Sequence, residues 1–159
     1  MLDEKIDSKD ALIKALADEI EACMEESYPV VDFTAQAVTQ VIESAYAEPD
    51  VNRQLNKHRI IALDPLSSHE SYRIMEKFAR SRPGEQAQRL LDAISQKHPF
   101  RMFDGAIKRM GIAEDWYAWR REAIQNHAAD LLEAYGVDFI DGVIVCNDEE
   151  NVSTFKYED

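Results

Sequence analysis

Apolar residues recur at helical spacing near the start of the chain. Leu12, Leu16, Ile20 and Met24 fall every fourth residue, with Ile13 and Cys23 beside them. A single apolar stripe of that period predicts an amphipathic helix over residues 10–24. Asp7 or Ser8 can cap its start by accepting from the unpaired N–H groups of the first turn. Pro29 forbids continuation far beyond Tyr28. The pattern then changes. Tyr28-Pro-Val-Val-Asp-Phe33 and Ala37-Val-Thr-Gln-Val-Ile42 are rich in strand formers. They predict a β-hairpin that turns near Thr34 to Gln36. A second helix over residues 35–46 is the competing reading.

Beyond a loop at Glu48-Pro49-Asp50, Arg59-Ile-Ile-Ala-Leu63 reads as a short strand closed by Asp64-Pro65. Ser67 and Glu70 have the spacing of a capping box, so a helix starts there. Tyr72, Met75, Phe78 and Ala79 supply its apolar face, and Pro83-Gly84 breaks it. A further helix over residues 85–96 buries Ala87, Leu90, Leu91 and Ile94. Pro99 stops that helix and suits the first turn of another, where its missing N–H costs nothing. Phe100, Phe103, Ile107 and Met110 form the apolar stripe of that next helix, and Gly111 fits the left-handed position after its end. The longest helix spans residues 114–135. Glu114 and Asp115 suit its positive N-terminal end. Trp116, Trp119, Ala123, Ile124, Ala128, Leu131 and Tyr135 form its inner face, and Gly136 ends it. Gly142-Val-Ile-Val-Cys146 is a final strand. The expected fold class is α+β, predominantly helical, with four to five helices and a small antiparallel sheet or hairpin. Residues 1–146 read as a single globular domain and 147–159 as an acidic, partly mobile tail.

Composition agrees with a packed core, since 45% of the 159 residues are hydrophobic. No apolar run approaches the roughly 18 residues of a membrane span. Met1-Leu2-Asp3-Glu4-Lys5 opens no secretory signal. Two cysteines far apart, Cys23 and Cys146, suit reduced thiols. The expectation is a cytoplasmic protein with no membrane contact. The net charge of −13 is uneven. Residues 1–50 hold 13 acids and 3 bases, residues 51–130 hold 10 and 14, and residues 131–159 hold 8 and 1. Acidic ends thus flank a mildly basic middle. The simplest expectation is that the ends neutralise it, leaving an exposed positive face as the alternative.

Candidate chemistry is sparse. His58, His69, His98 and His127 have no metal-ligand spacing to one another, and there is no H-E-x-x-H or C-x-x-C. Gly84, Gly105, Gly111, Gly136 and Gly142 are isolated, so no phosphate loop is present. No G-x-S-x-G occurs, and Cys23 lies on an apolar face, where a thiol is inert. His127 lies on the stripe of the long helix and reads as a hydrogen-bonded core residue. No metal, cofactor or catalytic residue is assigned. The basic stretch carries the one candidate site: Arg80, Arg82, Arg101, Lys108 and Arg109, with Arg89 and Lys97 nearby and Phe100 and Phe103 interleaved. Cations and aromatics together can bind single-stranded nucleic acid. The periodicity, however, places both phenylalanines in the core, which leaves the bases as a solvated face or paired with acids.

Three segments carry a family resemblance. Tyr72-Arg-Ile-Met-Glu-Lys-Phe78, Phe100-Arg-Met-Phe103-Asp-Gly-Ala106 and Glu114-Asp-Trp116-Tyr117-Ala-Trp119-Arg120 resemble uncharacterised protein family 0158 of bacteria. Tyr28-Pro-Val-Val-Asp32-Phe-Thr34 is similar to the strand and turn near that family's N-terminus, without its turn glycine. The family's Trp-Leu near the end of the long helix is Leu131-Leu132 here. The resemblance covers roughly residues 20–137. It implies the hairpin over residues 28–42 and brings no reaction or catalytic residue with it. The expected function is a non-catalytic protein-interaction or regulatory domain with a protein partner or a homodimer. Nucleic-acid binding through residues 80–109 is the alternative, and an enzyme of unknown type is the third reading.

Overall fold

The computed structural model describes residues 5–24, 26–43 and 52–157. They divide into two compact units, residues 1–65 with 124–159 and residues 66–123. No helix among the described residues is long and apolar enough to cross a membrane.

The first unit is built around a sheet. Helix α1 (Lys9–Ala22) starts at Ser8, whose side chain accepts from the Ala11 amide. It buries Leu12, Leu16 and Ile20, three members of the expected stripe. The fourth, Met24, is 80% exposed. The helix ends two residues early because Cys23 is extended and the Ser27 hydroxyl bonds both the N–H and the C=O of Met24. The hairpin reading holds over the helical one: β1 (Ser27–Asp32) pairs antiparallel with β2 (Ala37–Ile42) across a turn at residues 33–36. Residues 44–46 of the competing helix and the loop at Glu48-Pro49-Asp50 lie outside the described residues.

β3 (Arg59–Ala62) pairs antiparallel with the other side of β1. A proline in a central strand is tolerated here because Pro29 stands opposite the end of β3, where its carbonyl still accepts from Leu63. The segment expected as a tail has elements of its own. A 3₁₀ turn at Glu149–Asn151 leads to β6 (Ser153–Thr154), which pairs with β3, so the strand order is β2-β1-β3-β6. Phe155 follows and packs against the buried cluster of Val30, Val41, Leu55 and Ile60 on one sheet face. α1 contacts β1 and β2, and Gln40 of β2 donates to Glu19 of α1.

The second unit is helical. It holds α2 (Ser68–Ser81), α3 (Gly84–Ile94), α4 (Pro99–Met110) and the start of α5 (Ala113–Tyr135). The expected capping box exists. Ser67 accepts from the Glu70 amide at 3.0 Å, and the Glu70 carboxylate accepts from the Ser67 amide at 3.2 Å. The core is aromatic. Trp116 meets Phe78 and Phe103 edge-on at centroid distances of 5.3 and 4.8 Å. Trp119 meets Phe78 at 5.7 Å. Such pairs add about 0.5–1.5 kcal/mol each beyond burial. One expected core residue is not there. Phe103 is 2% exposed but Phe100 is 45% exposed, because it sits in the first turn of α4 beside Pro99.

The remainder of α5 belongs to the sheet unit and buries Ile124, Ala128 and Leu132 there. Leu132, not the expected Leu131, is the fully buried leucine. Gly136, at φ +74°, turns the chain into a second hairpin. β4 (Val137–Ile140) pairs antiparallel with β5 (Val143–Cys146) through Asp141-Gly142. Both turn residues have positive φ, 51° and 80°. That is the requirement of the tight hairpin turn whose twist matches its strands.

Candidate interaction groove

The residues expected to form a basic face lie at the end of α2 and along α4, and most are engaged. Arg80 lies 3.8 Å from Glu76, and Lys108 lies 2.9 Å from Asp104, each one turn away. The Asp104 carboxylate, through its hydrogen bond first, raises the Lys108 pKa. Arg82 is held on three sides. It bonds Gln86 at 3.0 Å, pairs with Asp115 at 3.3 Å and stacks over Phe78 at 5.4 Å. Only 21% of its side chain is exposed, so its charge is spent on tying α2, α3 and α5 together. Arg101 and Arg109 differ. Among the described residues neither has a carboxylate within ion-pair distance, and both are exposed.

Arg109 leads to a feature that periodicity alone did not reveal. α3 and α4 pack together through Leu90, Ala93 and Ile94 on one side and Phe103, Ala106 and Ile107 on the other. Outside that contact they leave a groove of about 360 Å³. Met102, Ala106 and Met110 of α4 recur every fourth residue and line it with Ala93 of α3. Arg89, Asp92 and Gln96 of α3 and Arg109 of α4 supply its polar lining. Asp92 is engaged by Gln88 at 2.9 Å, and Arg89 by Glu85 at 3.2 Å. Arg101, Gly105 and Arg109 also recur every fourth residue, so they form the next ridge of α4 beside the methionine ridge.

Gly105 is unusual on that ridge. It sits mid-helix, where glycine costs about 1 kcal/mol relative to alanine. No positive φ requires it, and a Cβ there would meet only the end of the Arg109 side chain, at 3.3 Å. The fold therefore gives no packing reason for the absence of a side chain. Together the groove offers an apolar, methionine-lined floor, small residues that allow close approach, and a cationic ridge. Methionine adapts its shape to different apolar partners.

The sheet unit holds one other polar constellation. Asp32 is 2% exposed yet fully bonded. Its Oδ1 accepts from the amides of Thr34 and Ala35, and its Oδ2 lies 2.7 Å from His58 Nδ1. The pair fixes the β1–β2 turn to the residue before β3. No group of three metal-ligating side chains occurs among the described residues. Cys23 and Cys146 are free thiols, both half-buried, and burial is the main cause that raises the Cys23 pKa. His127 is half-buried rather than enclosed.

The three helix segments that suggested a family lie along α2, α4 and the start of α5, around this groove and the aromatic core. The model of the uncharacterised protein family UPF0158 matches residues 48–143. The chain belongs to that family. The match contains the whole helical unit with the groove, while Tyr28–Thr34, the fourth segment of the resemblance, lies outside it. A curated relative, the UPF0158 protein PA5073 of Pseudomonas aeruginosa, is 27% identical over 97 residues. That stretch is 58% of this chain and 63% of the relative, so the similarity spans less than two thirds of the relative's length. No solved structure matches the chain.

Proposed function

We propose that the chain is a non-catalytic protein-interaction domain whose helical unit receives its partner in the α3–α4 groove. The observation that carries this reading is the methionine-lined floor between two helices whose own core contact is already complete. A groove of about 360 Å³ with an apolar floor and a polar rim lies in the size range of binding sites. Its use of Met102 and Met110 suits an apolar side chain presented by another protein.

The test is a photo-crosslinking amino acid placed at Gln96 or Met110 of the groove and, as a control, at Arg73 on the exposed side of α2. Discrete adducts with one partner from the groove positions, absent from Arg73, are expected. Adducts that are absent from the groove positions, or the same at all three, overturn the reading.

Nucleic-acid binding has one supporting observation. The helical unit has 11 bases and 8 acids, net +3, and the rest of the chain is net −16. Against it, Arg80, Arg82, Arg89 and Lys108 each already face a carboxylate. Absence of oligonucleotide binding at low salt removes it.

A further inference from the structure

We infer that the occupant of the α3–α4 groove is an acidic amphipathic helix of a partner protein. The inference rests on the interaction reading above and adds the partner's shape and charge. Shape comes from the ridge pattern. Met102, Ala106 and Met110 run along α4 as an apolar line about two turns long, with Ala93 opposite. A helix that lays its own apolar stripe into such a line is a recurring mode of recognition.

Gly105 strengthens that argument. It stands beside the apolar line, and the fold gives it no conformational or packing role. A missing side chain on a helix ridge lets a second backbone approach closely, as small residues do wherever helices cross tightly. Its helix-propensity cost of about 1 kcal/mol needs a compensating use. An incoming helix crossing at Gly105 provides one.

Charge comes from the same ridge. Arg101 and Arg109 bracket Gly105 one turn to either side, and among the described residues no carboxylate pairs with them. The Arg109 guanidinium lies over Gly105, within reach of a group arriving there. Carboxylates flanking the partner's apolar stripe would meet these arginines, and bidentate pairing favours arginine for that task. The acidity of the rest of the chain does not reverse this preference. At physiological ionic strength charges beyond about 8 Å are largely screened, so the local ridge decides.

The experiment titrates the full chain into two fluorescein-labelled helical peptides at physiological salt. Both have the same leucine and alanine stripe. One has glutamate at its polar positions and the other lysine. The glutamate peptide should bind at least about tenfold more tightly. R101E/R109E should reverse the preference. Gly105→Gln should abolish binding of the glutamate peptide, although it stabilises α4, so lost binding cannot be blamed on unfolding. Equal affinity for the two peptides overturns the acidic partner and leaves the groove reading intact. Failure of both peptides to bind overturns the groove reading as well. A single-stranded oligonucleotide that binds more tightly than the glutamate peptide, and loses affinity in R101E/R109E, replaces the helix with nucleic acid. Self-association abolished by Gly105→Gln in sedimentation replaces it with a second copy of this chain.

Discussion

Gln36 tests whether a single side chain joins two hairpins of the sheet unit. It sits at the end of the β1–β2 turn with φ 56°, a left-handed conformation that glutamine rarely adopts. Its carboxamide makes three bonds. It donates to Phe33 O at 2.8 Å and Ile144 O at 3.0 Å, and accepts from the Ile144 amide at 2.6 Å. Hydrogen-bonded pairs alternate along the β4–β5 ladder, and Asn147 donates to Gly136 within it. Ile144 is therefore in a pair whose amide and carbonyl point away from β4, towards Gln36. The clamp closes the outer edge of β5 where another strand could otherwise add. At about 1 kcal/mol net per bond, Gln36→Ala should cost about 2–3 kcal/mol. Alanine keeps the left-handed strain, whereas Gln36→Gly relieves about 1 kcal/mol of it and should be correspondingly milder. Native-state hydrogen exchange reads the effect where it arises. The Ile144 amide should lose about one to two powers of ten in protection in either variant. Unchanged protection of Ile144 in Gln36→Ala, or a glycine variant no milder than the alanine variant, would refute the clamp.

Two further perturbations probe other links. Ser67→Ala removes one half of the capping box and should destabilise α2 by about 1 kcal/mol. Tryptophan fluorescence reports it directly, because both tryptophans, Trp116 and Trp119, contribute to the helical unit's core. An unshifted unfolding midpoint would show that the cap is idle. Burial raises the pKa of Glu19, assisted by the nearby Asp18 charge and opposed by the Gln40 hydrogen bond. The folded state thus holds the Glu19 proton more strongly than the unfolded state, and stability falls as pH rises through the interval between the two pKa values. Glu19→Gln removes that loss, so the variant should gain stability over the parent as pH goes from acidic to neutral. A denaturation series in which the gap stays constant or closes over that interval would contradict the burial argument.

Most helices were legible because each carries its own apolar stripe and its own stop. The Ser67–Glu70 spacing, Pro99 and Gly111 marked boundaries that local chemistry enforces. What periodicity misplaced lies at helix ends. Met24 continues the α1 stripe in register, but Ser27 claims the backbone of Met24 and the helix stops before it. Phe100 continues the α4 stripe, yet the first turn extends beyond the core that buries Phe103. The β4–β5 hairpin did have a signal, the Asp141-Gly142 turn between two short apolar runs, while β6 had none. A two-residue edge strand is defined by its partner β3 rather than by its own composition.

The candidate site was only half legible, and the reason is physical. Charge can be counted from a sequence, but pairing cannot. Of the five cations expected on a binding face, Arg82 proves to be a structural clasp and Arg80 and Lys108 are matched to acids on their own helices. Arg101 and Arg109 differ because they flank a groove that exists only once α3 and α4 have packed. Gly105 was the residue that could have indicated it. Four glycines of this chain have positive φ at turns or helix ends, which is conformational work. The fifth lies inside a helix that would be more stable without it. A residue that weakens its own element and serves no neighbour in the fold is best explained by something that approaches from outside, and the arginines on either side say which charge that partner should carry.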